Sequence, residues 1–170
     1  MFDESTISFS VYEDGEEYLG VATITLPTLS AVMQTVSGAG ISGNIEVGIA
    51  GYYDAMELGI SFRNVTEHSI RLSEPRLHTI QCLAAMQMED PTEGVVKVVP
   101  VKHILTVFPK TDAGGSIAPA SPSNGSGTYA ARYWATFIDG ERVREIDPAN
   151  FIAYVNGTDY LAPVRTALGK

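Results

Sequence analysis

One cysteine and three histidines are spread over 170 residues. A lone cysteine closes no internal disulfide, and no second one completes a thiolate metal site. Cys82 sits in the apolar run Ile80-Gln81-Cys82-Leu83-Ala84-Ala85-Met86 and reads as a buried small hydrophobe. His68, His78 and His103 form no H-x-H or H-E-x-x-H arrangement, so no metal site is expected. No G-x-S-x-G elbow is present, and no pair among the 20 acidic residues stands out as catalytic. The expectation is a protein without cofactor and without enzymatic activity. Positive charge is also scarce. Eleven Lys and Arg face 20 Asp and Glu, a formal net charge of −9. Phosphate binding needs clustered cations, so a nucleic-acid binder is disfavoured. No apolar run is long enough to span a membrane. The opening MFDESTISFS lacks the basic start and apolar stretch of a secretory signal, which leads us to expect a soluble chain. The sequons at Asn64, Asn124 and Asn156 are read as chance.

What the sequence has is alternation. Residues 128–162 contain two hairpins, each with a two-residue turn signal, Asp139-Gly140 and Asn156-Gly157. Residues 7–13 alternate, Asp14-Gly15 turns, and 18–26 return, which predicts a first hairpin ended by Pro27. Residues 29–37 fit a helical turn or an extended arm, and the extended arm is the favoured reading. The segment 54–63 places Met56, Leu58, Ile60 and Phe62 on one face and Glu57, Gly59, Ser61 and Arg63 on the other. The polar stretch 66–75 can hold one short helix. Residues 76–108 read as one long hairpin turning at Pro91-Thr92-Glu93-Gly94, with Pro100 implying an edge position or a bulge. Residues 110–127 read as a loop. Pro163 and Gly169 frame a terminal helical turn or two. The whole, 1–170, is expected to be a single domain.

Gly38, Gly40 and Gly43 formally match G-x-G-x-x-G. That fingerprint needs a strand before it and a helix after it. Here NIEVGIAGYY follows, which is no helix, so the loop Ser37–Gly43 is read as a turn whose glycines allow positive φ and close backbone approach.

Four stretches in their order carry a family resemblance: Gly20-Val21-Ala22 with Thr25-Leu26-Pro27 and Leu29; the loop Ser37 to Gly43; Met56-Glu57-Leu58; and Asp139-Gly140, Glu145-Ile146-Asp147, Val155-Asn156-Gly157 and Asp159. On these the chain resembles the major tail tube proteins of contractile-tailed bacteriophages and phage-tail-like bacteriocins, and is similar in fold to the type VI secretion tube protein. Residues 64–127 match less well. The resemblance implies a mainly β fold, an orthogonally packed β-sandwich or barrel with long hairpins and a short helix. It implies a homo-hexameric ring stacking into a hollow tube, inside a sheath and around a tape-measure protein, with baseplate and tail terminator proteins at the ends. It further implies that DNA passes through the lumen without specific binding and that assembly takes place in the host bacterial cytoplasm. A tube of a bacteriocin or injection system is the first alternative, and a carbohydrate-binding β-sandwich the second, with Tyr52-Tyr53, Tyr129, Tyr133 and Trp134 as its sugar platform.

Unpaired margins on long hairpins risk aggregation unless neighbouring subunits complete them. Under the tube reading, Ser37, Gly38, Gly40 and Gly43 fall at a subunit or ring interface. The polar faces carrying Glu57, Ser61, Arg63, Thr79, Gln81, Gln87 and Glu89 line the lumen. The net acidity, if it faced that lumen, would repel phosphates and let DNA slide.

Overall fold

A computed structural model describes residues 2–18 and 20–170, with the side chains of residues 2–4 outside the description. Leu19 of the first hairpin and the carboxylates of Asp3 and Glu4 thus lie outside the described residues. The described residues form twelve strands: β1 Phe2–Glu13, β2 Glu16–Glu17, β3 Val21–Thr25, β4 Ala31–Val36, β5 Ile45–Tyr53, β6 Met56–Phe62, β7 His78–Asp90, β8 Val95–Ala113, β9 Ser126–Ile138, β10 Glu141–Asp147, β11 Ile152–Val155 and β12 Thr158–Asp159. Helix α1 spans Glu67–Arg71 and α2 spans Ala162–Ala167.

Ten strands form one antiparallel sheet in the order β12-β11-β10-β9-β8-β7-β1-β2. Strand β9 forks it. Residues Ser126 to Ala131 pair with β6, which pairs in turn with β3, whereas Trp134 to Ile138 pair with β10. A register shift between Tyr133 and Ala131 leaves Arg132 unopposed at the fork. A β-bulge of this kind bends a strand, which lets two strands leave one edge in different directions. The sheet folds over on itself into a sandwich-like body that is not a closed barrel. Its interior gathers Val11, Leu58, Ile60, Ile80, Leu105, Val107, Tyr129, Trp134, Ile146 and Ala153 with Tyr18, Leu72 and Leu161. The alternation of β6 holds throughout: Met56, Leu58, Ile60 and Phe62 are buried, and Glu57 and Ser61 are exposed.

The three turn signals close as their residues require. Asp14, Asp139 and Asn156 have φ of 51°, 51° and 47°, each followed by glycine at positive φ. Two successive left-handed residues give the turn that matches strand twist. Thr66 caps α1 by accepting from the Ser69 amide, within the stretch 66–75 expected to hold a short helix. The terminal helix begins beside Pro163, and Gly169 follows it at φ 73°.

Three expectations are corrected. The first hairpin is only two residues deep on its return: Glu16 and Glu17 pair with β1, and β3 then crosses to pair with β6. Strand β3 takes β6 as its partner instead, while β1 keeps β7 along its length. The loop 110–127 is shorter than read. Strand β8 continues to Ala113, because Thr111, Asp112 and Ala113 find partners in Thr128, Gly127 and Ser126. Finally, Pro100 causes no bulge against β7, with which β8 stays in register from Val95 to Val107. The other half of that expectation holds. The Pro100 carbonyl accepts from the Asp139 amide at the turn where β9 ends, so its missing N–H falls on a side with no strand to serve.

A buried polar cluster ties the first turn to the sheet. His78 is fully buried, with Nε2 2.9 Å from the Glu74 carbonyl and Nδ1 2.5 Å from Glu13 Oε1. Arg76 reaches the same carboxylate oxygen at 3.2 Å.

Candidate assembly surfaces

Strands β4 and β5 stand apart from the main sheet as a two-stranded arm, with residues 37–44 at its tip. Cross-strand pairs Met33–Gly48, Gln34–Val47, Thr35–Glu46 and Val36–Ile45 set its faces. One face carries Met33, Thr35, Glu46 and Gly48. The other carries Gln34, Val36, Ile45, Val47 and, by continued alternation, Ile49. Val36, Ile45, Val47 and Ile49 are 39%, 50%, 48% and 44% exposed. This is the pattern of a half-buried sheet whose covering layer is missing. Covering four roughly half-exposed β-branched side chains equals burying about two whole ones, roughly 3–6 kcal/mol per arm. An isolated two-stranded ribbon is marginal in water, so the arm depends on its root. There Gly51, at φ 72°, lies so close to the C-terminal segment that a Cβ would sit 2.6 Å from the Leu161 side chain.

The long hairpin β7–β8 overhangs the body at its other end. Between its inner face, the margin of β1 and the segment around β3 runs an apolar groove of about 360 Å³, lined by Phe9, Ile24, Leu26, Cys82, Ala84, Met86 and Val101, with Thr6, Ala22, Thr23 and His103. Phe9, Ile24 and Leu26 also touch the core. The groove is therefore the core's own continuation beyond the point where its second layer stops. Burial pushes the Cys82 thiol up, as expected of a small hydrophobe in a wall. His103 accepts from the Trp134 indole at 3.3 Å; burial first, then the Arg144 cation, hold its pKa down.

Along β1, no other strand lies on the side away from β7 between Phe2 and Ser10 among the described residues. Arm, groove and open margin together describe a subunit with unfinished surfaces. The family model for phage tail tube protein FII matches residues 3–169. The chain belongs to the phage tail tube protein FII family. The tail tube protein of Escherichia phage P2 is 26% identical to it over 165 residues, with 94% of each sequence covered. A tail tube protein is a structural component of the virion, and membership in such a family implies a non-enzymatic role. No described helix is long and apolar enough to cross a membrane.

The structure puts the residues expected at the tail tube's lumen on one sheet face. Met56, Ala131, Val107 and His78 align across four strands and are buried. Their neighbours Glu57 and Thr79 therefore point the other way, and Ser61, Arg63 and Gln81 follow the same alternation. Those five are exposed; Gln87 and Glu89 continue the outer face of β7 along the overhang and are half-buried. That face does not carry the chain's excess negative charge. Arg63, Lys102, Lys110, Arg132 and Arg142 share it with Glu57, Glu89 and Glu145. Lys110 pairs with Glu57 at 2.8 Å and Arg142 with Glu145 at 2.5 Å. Lys102, Arg132 and Arg142 lie over the rings of Phe137, Phe108 and Tyr154. Many of the acidic side chains sit instead at turns and strand ends.

The expected interface residues Ser37, Gly38, Gly40 and Gly43 are all exposed at the arm's tip. The three glycines have φ of 146°, 90° and 127°, with nothing within 4 Å of an added Cβ. The loop is followed by strand β5, so the dinucleotide fingerprint lacks its helix. The sugar platform does not form: Tyr129 and Trp134 are buried in the core, Tyr133 lies on the outer face, and Tyr52 is on the arm's root. The first arm strand falls within the stretch 29–37 read as extended, but its partner β5 and the arm's apolar face were not singled out from sequence. Their signal was present in Ile45, Val47 and Ile49 alternating with Glu46 and Gly48.

Proposed function

We propose that this tail tube protein assembles as homo-hexameric rings stacked into a hollow tube, with the outer face of β6–β9–β8–β7 lining the lumen and the arm buried between copies. The observation that carries this reading is the arm: an amphipathic ribbon with its apolar face open to solvent, on a chain of the tail tube family. The loop Ser37–Gly43 enters the same interface, where backbone without side chains permits close approach. On the lumen side Glu57, Ser61, Arg63, Thr79, Gln81, Gln87 and Glu89 present a hydrated polar wall. Of its cations Lys110 and Arg142 sit in ion pairs, whereas Lys102 and Arg132 lie over aromatic rings and keep their charge; with Glu57, Glu89 and Glu145 on the same face the wall is mixed in charge, and DNA slides past during ejection. Smooth passage rests here on interspersed charge of both signs rather than on a net acidic bore.

In this reading the tube lies inside a contractile sheath and encloses the tape-measure protein, ends on a baseplate and a tail terminator protein, and assembles in the host bacterial cytoplasm. Negative-stain electron microscopy of the purified, concentrated chain tests the core of it. Rings or tubes with a central channel are expected. A protein that stays monomeric at every concentration overturns it.

A further inference from the structure

We infer that the apolar face of the arm seats in the groove beneath the β7–β8 overhang of a second copy, completing that copy's sandwich in trans. This rests on the tube reading and names the receiving site within it. Two surfaces in this molecule are each half of a sheet sandwich. The groove floor is the inner face of an overhanging sheet, with Cys82, Ala84, Met86 and Val101 continuing the line of core positions Ile80 and Leu105 past the place where β3 and β6 cover them. The arm presents Val36, Ile45, Val47 and Ile49 as a second sheet with nothing opposite. Sheets pack face to face at about 10 Å through such aliphatic layers.

The chemistry matches on both sides. Among the described residues no carboxylate, lysine or arginine lines the groove, and the apolar arm face bears no charge; the arm's Glu46 projects from the opposite face. Ala22 and Ala84 leave depth in the groove that β-branched side chains can fill. The groove's owner does not use its own arm here, since that arm's apolar face is solvent-exposed.

The size of the contact points to another copy of the chain rather than to a single tight partner. Four half-exposed side chains fall well short of the roughly 800 Å² per partner of a lasting one-to-one complex. A contact this small holds only when repeated, as each subunit of a polymer, having one arm and one groove, repeats it. The competing receiver is the outer face of the same overhang, where Val96 and Val98 are 54% and 60% exposed.

Cysteine crosslinking of the full chain separates these. In a Cys82→Ser background, Val47→Cys is combined in turn with Ala84→Cys, Met86→Cys or Val101→Cys on the groove floor, and with Val98→Cys on the opposite face. Melting curves check that each variant is folded. Assembled material is oxidised and run on non-reducing gels. At least one floor pair should yield a covalent ladder climbing beyond the dimer, and the Val98 pair none. A ladder from Val98→Cys, or assembled material with no ladder from any floor pair, overturns the groove assignment while the tube reading stands. If the unmodified chain forms no rings or tubes, the tube reading itself fails and this inference with it.

Discussion

Replacing Val47 by aspartate tests the arm most directly. Val47 is 48% exposed in the free subunit, so the substitution should leave the monomer's unfolding free energy within about 0.5 kcal/mol. In the assembled state the accounting differs. Losing the remaining half of one valine's burial costs roughly 1 kcal/mol. Setting a carboxylate against an apolar surface adds about 1–3 kcal/mol of unrecovered hydration. A total of about 2–4 kcal/mol per contact raises the critical concentration for polymerisation roughly 30- to 700-fold, at 1.4 kcal/mol per decade. Sedimentation of a dilution series reads that concentration, with electron microscopy of the pellets. Thr35→Lys, on the arm's opposite face beside Glu46, serves as the control and should leave it unchanged. Should Val47→Asp polymerise at the concentration of the unmodified chain, the arm's apolar face is not buried on assembly and the argument fails.

Gly40→Val forces a β-branched residue to φ 90° at the arm's tip, and should give soluble subunits that fail to form tubes by negative stain. Glu13→Ala leaves buried His78 without its carboxylate and should cost about 3–5 kcal/mol in urea unfolding, whereas Glu13→Leu with His78→Leu should recover most of it. Gly127→Ala places a Cβ 2.4 Å from the Tyr129 hydroxyl and should cost about 1–3 kcal/mol, partly relieved by Tyr129→Phe. Burial, and secondarily Asp112 for Tyr129 and Glu145 for Tyr133, push both phenols up to about 12. Because the folded values are raised, the stability they contribute is intact below pH about 10 and is lost as pH rises toward about 12. Ultraviolet titration of tyrosinate should find two late-ionising groups, and Tyr133→Phe should remove one.

Much of the fold was legible because its signals are local. The turn pairs at residues 14–15, 139–140 and 156–157 specify their own backbone, and Met56 to Phe62 reveal their buried face by alternation alone. Strand partners were less legible. Nothing in residues 18–26 says that β3 will abandon β1 for β6, since that partner lies far along the chain and leaves no local signal. The extension of β8 to Ala113 was hidden for the same reason: Thr111 and Asp112 look like loop residues until β9 is laid beside them. The lumen candidates follow from parity and so fell on one face. The arm's binding face and the groove were missed because each looks like ordinary core until the structure removes its cover. Charge placement was illegible too, because a total of −9 says nothing about which face carries it.

Pro100 sets a limit on how copies can join. The overhang from Val95 to Val99 is a valine-rich strand with one flank uncovered by β9, the sort of template on which like chains zip up indefinitely through their main chains. A residue with no amide hydrogen on that flank interrupts the zipper at its base. At that flank growth through a backbone ladder is disfavoured, and contacts through side-chain surfaces, whose shapes fix an angle between neighbours, are favoured instead. That is the difference between a filament of defined symmetry and an amyloid.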